Sequence, residues 1–126
     1  MPYVYDNAEE LENLPQVGTK ECVDLMKTFG KAPAASQWTE GARVKGTSTL
    51  RTGTAIATFV NGKYPNMPSG NHAAFYLRQD AAGLWVIDQW RNSGSIRKRL
   101  LRFKGADPEG HYRDPVNNGD AFSVIE

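Results

Sequence analysis

One cysteine and two histidines occur in the 126 residues of this chain, and their placement limits the chemistry open to it. Cys22, in TKECVDLMKTFG, falls in the first turn of a segment with helical periodicity. His72 opens the apolar stretch HAAFYLRQ, and Asp88 interrupts the apolar stretch GLWVIDQW. A single thiol makes no internal disulfide. At a helix start, however, unpaired N–H groups and the positive end of the helix dipole favour a thiolate over a thiol. An ordinary thiol, with a pKa of about 8.5, is only a few per cent ionised at neutral pH, so a nucleophilic cysteine needs that help together with an imidazole. The imidazole needs a third group to set its tautomer, and a carboxylate inside an apolar strand is costly unless it has a partner. Cys22, His72 and Asp88 are thus candidates for nucleophile, general base and orienting acid. Each also has a purely structural role open to it. Cys22 can be a small buried apolar residue, His72 a hydrogen-bonded residue at a strand edge, and Asp88 a polar-face residue or the partner of a nearby arginine. His111, in GHYRDP, lies among turn formers and is expected as a solvated loop residue.

The elements that must carry these groups follow from pattern. Asn7 can cap a short helix running to Leu14, stopped by Pro15, with Glu9 and Glu10 suited to its positive end. A second helix is expected from Thr19, as N-cap, to Phe29, with Gly30 as the C′ residue; Cys22, Leu25, Met26 and Phe29 form its buried face. Residues 31–53 are rich in Gly, Ser, Thr and Pro and predict irregular chain, with WTEG at 38–41 as a turn. GTAIATFV (53–60), HAAFYLRQ (72–79), GLWVIDQW (83–90), SIRKRLLRF (95–103) and AFSVIE (121–126) predict strands, and their short connections favour antiparallel pairing. The expected fold is one α+β domain over residues 1–126, with N-terminal helices packed on one face of an antiparallel β-sheet. Register matters for the chemistry. A tight turn over Ala81 and Ala82 puts His72 on the same face as Gln89. Asp88 comes opposite His72 only if the turn centres on Asp80, through an irregular turn or a bulge near Gly83. Gln89 therefore remains an alternative orienting residue.

Composition excludes several classes. Hydrophobic residues at 40% and charged residues at 23% are those of a globular domain, and no apolar run approaches the roughly 20 residues of a membrane span. The acidic N-terminal stretch MPYVYDNAEELENL lacks the features of a secretory signal, so synthesis in the cytoplasm is expected, with any duty outside requiring a dedicated export machine or lysis. One Cys and two His without zinc-type spacing are too few for a metal centre, and phosphate-cradling glycine motifs are absent, so no cofactor is expected. The net charge is +1, but Arg91, Arg97, Lys98, Arg99, Arg102 and Lys104 crowd into one segment. That segment reads as a solvated or edge-protecting strand, or as an attractor for substrate carboxylates or an acidic partner. Aromatic interleaving is too sparse there to suggest a nucleic-acid surface.

A helix-borne Cys, a strand-borne His and a polar residue on the following strand, in that order, resemble the papain-like cell-wall peptidases of the NlpC and CHAP type. ECV at 21–23, W with EG at 38–41, GTAIATF at 53–59, YPN at 64–66, GNHAAF at 70–75 and DQW at 88–90 are further similar to the second subfamily of the small amidase effectors delivered by type VI secretion. The likeness spans roughly residues 15–126. It departs from many NlpC-type enzymes at Val23 and Asp24, where Ser-Gly follows the cysteine. The resemblance implies a papain-like NlpC/CHAP architecture and a thioester mechanism in which Cys22 attacks, His72 moves the proton and Asp88 orients. It implies as substrate the peptide stems or crosslinks of peptidoglycan, with the D-alanine to meso-diaminopimelate bond favoured. Action in the periplasm of a target cell, the type VI secretion apparatus and a cognate immunity protein are also implied. Gln16, six residues before the thiol as in papain-like proteases, and the backbone N–H of Cys22 are candidate oxyanion donors. Trp38, Asn71 and Trp90 are candidates for the substrate cleft. Two other functions stay open: a non-catalytic binding domain for an anionic polymer, and a deamidase or transglutaminase-like acyl transferase on the same fold.

Overall fold

The helix around Cys22 forms over Cys22–Gly30 (α1), three residues later than the expected start at Thr19. The reason is local. Gly18 and Lys20 both take left-handed backbone angles, which a helix cannot continue through. The Thr19 amide and hydroxyl both donate to the Asp24 carboxylate, at 2.8 and 2.5 Å, so Thr19 acts as a donor rather than as an accepting cap. Extended Glu21 takes the N-cap position, and Cys22 becomes the first residue of the helix. At the other end Gly30 is still helical and left-handed Lys31 caps it. A β-carbon on Gly30 would stand 3.2 Å from the Phe75 ring, so this glycine lets the helix lie close on the sheet. The structure is a computed structural model that describes residues 1–65 and 67–126; Asn66 of the YPN motif lies outside the described residues.

Among the described residues six strands follow: β1 (Glu40–Arg43), β2 (Ala55–Thr58), β3 (Ala73–Asp80), β4 (Gly83–Asp88), β5 (Arg97–Arg102) and β6 (Phe122–Ile125). They form one antiparallel sheet in the order β1-β6-β2-β3-β4-β5. The α+β expectation holds, with corrections of detail. The helix expected over Asn7–Leu14 is a single 3-10 turn, Ala8–Leu11, and Asn7 makes no side-chain cap bond. The segment expected to be irregular contains another 3-10 turn, Ala35–Gln37, and WTEG leads into β1 instead of turning, because the chain end at β6 offers it an edge to pair with.

The sheet is buried on both sides. Helix α1 and the N-terminal turn cover one face, where Leu25 and Met26 pack with Ala55, Ala57, Ala73, Phe75 and Ile87. The opposite face gathers Val44, Ile56, Ala74, Tyr76, Leu84, Val86, Leu101, Phe122 and Val124. Polar ties in the chain from Phe103 to Ala121 join the two ends of this face. Arg43 of β1 donates to the Asp120 carbonyl, Arg99 of β5 to Asn117, and Asn118 to the carbonyls of Gly105 and Arg113.

The hairpin β3–β4 does turn over Ala81 and Ala82, with Asp80 paired to Gly83. That register alone would have put Gln89 on the face of His72. Between Tyr76 and Arg78, however, the pairing slips by one residue: Arg78 faces Trp85 while Tyr76 faces Val86. Leu77 is the extra residue. Because side chains alternate along a strand, one inserted residue exchanges the faces of everything beyond it. Continued from Phe75–Ile87, the shifted register sets Ala74 across from Asp88, with His72 one diagonal step further on the same face. Neither a turn centred on Asp80 nor a bulge at Gly83 brings them together; a bulge in mid-strand does.

Candidate active site

Cys22 stands at the first position of α1, where its own amide has no carbonyl partner within the helix. His72 sits immediately before β3, tied to β2 by its amide donating to the Thr58 hydroxyl at 3.0 Å and by its carbonyl accepting from the Thr58 amide at 3.0 Å. Asp88 ends β4. Its Oδ2 lies 2.8 Å from His72 Nε2, and both side chains are essentially sealed from solvent. With Nε2 so engaged, Nδ1 is the ring atom left for the thiol. Arg99, from the adjacent strand β5, donates to the same carboxylate through Nη2 at 2.6 Å and Nε at 3.0 Å. It also donates to Asn117 at 3.0 Å and lies over the Trp90 ring, 4.6 Å from its centre. Asp88 therefore has both partners considered from the sequence, the histidine and an arginine.

The charges are mutually supporting. Burial by itself pushes the Cys22 thiol up, but the His72 hydrogen bond and charge, with the Tyr64 hydroxyl and the Ala73 amide, outweigh it and hold the thiol below its ordinary value. Burial works against His72 as an imidazolium, yet the Asp88 hydrogen bond, and then Cys22, raise it from 6.5 to about 9. Asp88 is likewise held below the usual carboxylate range, the hydrogen bonds from His72 and Arg99 overcoming its burial. These directions agree on one state, a thiolate beside an imidazolium braced by a carboxylate. Such a pairing offers an attacking sulfur and a proton donor side by side.

Cys22 and His72 line a cleft of about 540 Å³, with Asp88 buried behind them. Glu21 and Val23 flank Cys22 there, Met67 to Asn71 form one wall, and Trp90, Arg99 and Asn117 form the other. Trp90 and Asn71, candidates for the substrate cleft, both line it. Trp38 does not: it is 1% exposed, donates its indole N–H to the Pro33 carbonyl, and packs edge-on against Tyr64 as core behind the site. Gln16 is also placed elsewhere. Its amide donates to the Trp90 carbonyl at 2.6 Å and to the Ser93 hydroxyl at 3.0 Å, which commits both hydrogens to the 90–93 turn rather than to an oxyanion. Gln89, on the face opposite Asp88, does not orient His72. It is fully buried, accepts from the Val17 amide and donates to the carbonyls of Val17 and Glu21, fastening the end of β4 to the chain that enters α1.

Tyr64 was missed from sequence. Its hydroxyl lies 3.6 Å from Cys22 Sγ and 3.1 Å from the Asn71 amide, a conjunction that a loop tyrosine within YPN could not announce. The basic segment was read too generally. It is an edge strand, but Lys98 pairs with Glu9, Lys104 with Asp114, Arg91 with Glu21 and Arg99 with Asp88, so much of its charge is already matched. His111 is exposed as expected; it shares its loop with Asp107 and Glu109, whose ligand atoms come within 4.8 Å of it and of one another, away from the Cys22 cleft.

Comparison with known proteins bears on this arrangement. The chain is 44% identical over 133 residues to a type VI secretion amidase effector 2 protein of Salmonella typhi, with both chains covered completely. It is 33% identical over 114 residues to domesticated amidase effector 2 of Ixodes scapularis, covering 87% of this chain and 73% of that one. Among solved structures it is similar to a type 6 secretion amidase effector 2, with a TM-score of 0.91 and 42% identity over 98% of this chain and 94% of that one. A family described as domesticated amidase effector 2 matches residues 7–125. With a family match over nearly the whole chain and a relative aligned from end to end, the chain belongs to the domesticated amidase effector 2 family.

Proposed function

We propose that the chain is a single catalytic domain in which Cys22, His72 and Asp88 carry out amide hydrolysis on peptidoglycan stems. As an amidase effector of the type VI secretion class it is an antibacterial hydrolase. The observation that carries the catalytic assignment is that a thiol at a helix start shares one cleft with an imidazole, which is hydrogen-bonded behind the cleft to a buried carboxylate braced by an arginine. In this reading the Cys22 thiolate attacks the scissile carbonyl carbon, and His72, protonated at Nδ1, gives its proton to the departing amine. The acyl group stays on sulfur as a thioester. Water then enters, His72 takes its proton, and the C–S bond breaks to return the thiolate. Asp88 keeps the ring turned to the sulfur through Nε2 and balances the imidazolium charge, while Arg99 holds Asp88 ionised.

The favoured bond is the D-alanine to meso-diaminopimelate crosslink, cut in the periplasm of the recipient cell, and an immunity protein that fills the Cys22 cleft protects the producer. No helix among the described residues is long and apolar enough to cross a membrane. Digestion of purified sacculi by wild type and by Cys22→Ala, with mass spectrometry of the fragments, tests the reading. Wild type converts crosslinked dimers to monomers, and Cys22→Ala leaves them intact. Fragments cut between γ-D-glutamate and diaminopimelate would replace the bond assignment, and an active Cys22→Ala would overturn the mechanism.

A further inference from the structure

A tetrahedral adduct on Cys22 needs hydrogen-bond donors for its oxyanion, and the side chain that the sequence offered, Gln16, is bound to the 90–93 turn. The Cys22 amide at the helix start supplies one donor. Resting on the assignment of Cys22 as nucleophile, we infer that Tyr64 is a catalytic residue, whose hydroxyl is the second oxyanion donor, and that Asn71 is the positioning residue that aims it.

The inference follows from counting hydrogens. A phenol has one O–H to give and lone pairs to receive. The Met67 amide donates to Asn71 Oδ1 at 2.6 Å, and because a backbone N–H can only face the oxygen, this contact fixes which way the Asn71 amide is turned. Asn71 Nδ2 then faces Tyr64 and donates to its hydroxyl oxygen at 3.1 Å. Asn71 offers no acceptor on that side, so the Tyr64 hydrogen points to its other neighbour, Cys22 Sγ at 3.6 Å. Tyr64 is 6% exposed, and its ring is held edge-on against buried Trp38, so the hydroxyl cannot swing away to water.

When sulfur attacks, its lone pair becomes the S–C bond, and the carbonyl π pair moves onto oxygen. The sulfur ceases to be a strong acceptor as the oxygen, bound to the same carbon, becomes one. The O–H that pointed at the thiolate shifts a short distance to the new anion. Collapse returns the pair to the carbonyl, breaks the C–N bond and sends the amine off with the proton from His72. A donor that gains strength in the transition state raises kcat, whereas a contact equal in ground and transition states does not.

Tyr64→Phe keeps the ring and removes only the donor. Sacculus turnover should fall about 10²-fold in kcat with KM nearly unchanged, the size of effect seen on removing one oxyanion donor. Alkylation of Cys22 by iodoacetamide at pH 7, which forms no oxyanion, should fall no more than about threefold. Asn71→Ala should cost about tenfold in kcat, and the double variant no more than Tyr64→Phe alone, since the two act as a unit. Turnover unchanged in Tyr64→Phe while Cys22→Ala is dead overturns the inference and spares the nucleophile; an active Cys22→Ala removes its basis. Alkylation and turnover falling in the same proportion also overturn it, by making Tyr64 a holder of the thiolate alone. Should Tyr64→Phe fail to fold, Asn71→Ala decides, and wild-type kcat in that variant refutes the assignment.

Discussion

Asp88→Asn isolates what the buried charge contributes, because the structure lets the substitution keep its geometry. In wild type, Oδ2 receives His72 Nε2 at 2.8 Å and Arg99 Nη2 and Nε at 2.6 and 3.0 Å, while Oδ1 receives only Arg99 Nε at 3.2 Å. An asparagine must therefore set its oxygen at the Oδ2 place and its NH₂ at the Oδ1 place, where one weak contact becomes donor against donor. His72 keeps an acceptor at Nε2, and Nδ1 remains the ring atom left for the thiol. The negative charge is what disappears. The Asp88 hydrogen bond, which a neutral amide oxygen supplies only weakly, is the strongest contributor raising His72, and the charge adds to it; His72 lies at about 9 against an ordinary 6.5. That elevation corresponds to roughly 3 kcal/mol of preference for the imidazolium. Burial, now unopposed by the carboxylate, drives the ring towards the neutral form, and with the imidazolium gone the thiol loses its main stabiliser. A loss of roughly 3 kcal/mol corresponds to about 10²-fold in rate. Iodoacetamide alkylation followed from pH 5 to 10, beside sacculus turnover, provides the assay. Wild type should label fast through neutral pH; Asp88→Asn should label slowly until the pH approaches that of an ordinary thiol, and turn over about 10²-fold more slowly. Superimposable alkylation profiles, or turnover within threefold of wild type, would refute the electrostatic account of this site.

Turnover of wild type should hold from the depressed thiol pKa up to a fall centred near pH 9, where His72 loses its proton; a fall centred near pH 6.5 in the free enzyme would contradict the pairing. Stability should show the same linkage. The raised His72 contributes fully below pH 6.5 and loses its contribution as pH rises through about 9, while the lowered Asp88 contributes above its unfolded value, about 3.9, and loses its contribution as pH falls through the folded one. Denaturant melts of Cys22→Ala, which removes the second titrating partner, should show the alkaline loss, and Asp88→Asn should abolish it. Gln89→Ala strips the hydrogen bonds to Val17 and Glu21 and should cost about 2–4 kcal/mol in urea unfolding; a change below 1 kcal/mol would remove its role as a brace. Deleting Leu77 restores a regular hairpin register and exchanges the faces of Asp88 and Gln89, so activity should be abolished even if circular dichroism still reports a folded sheet.

Local rules of pattern go far in this chain. Amphipathic spacing in CVDLMKTFG produces a helix whose Leu25 and Met26 are buried, and β-branched and aromatic runs become β2 to β6, since each signal depends on neighbours a few positions away. The sequence alone also singled out Cys22, His72 and Asp88 by type, and joint motifs such as GNHAAF and DQW tied them to a family. Short-range pattern could not decide where the helix begins, because the Asp24 carboxylate reaching back to Thr19 competes with Thr19 as a cap. Nor could it choose between Asp88 and Gln89. That choice rests on a single extra residue at Leu77, whose bulge reflects packing on both faces of the sheet and leaves no local mark in an apolar run. Tyr64 meets Cys22 across 42 positions and Arg99 meets Asp88 across 11, contacts that exist only once strands and loops converge on one cleft. Residue types and their periodicity determined which groups could react; tertiary packing, through register and the path of one loop, decided which of them touch.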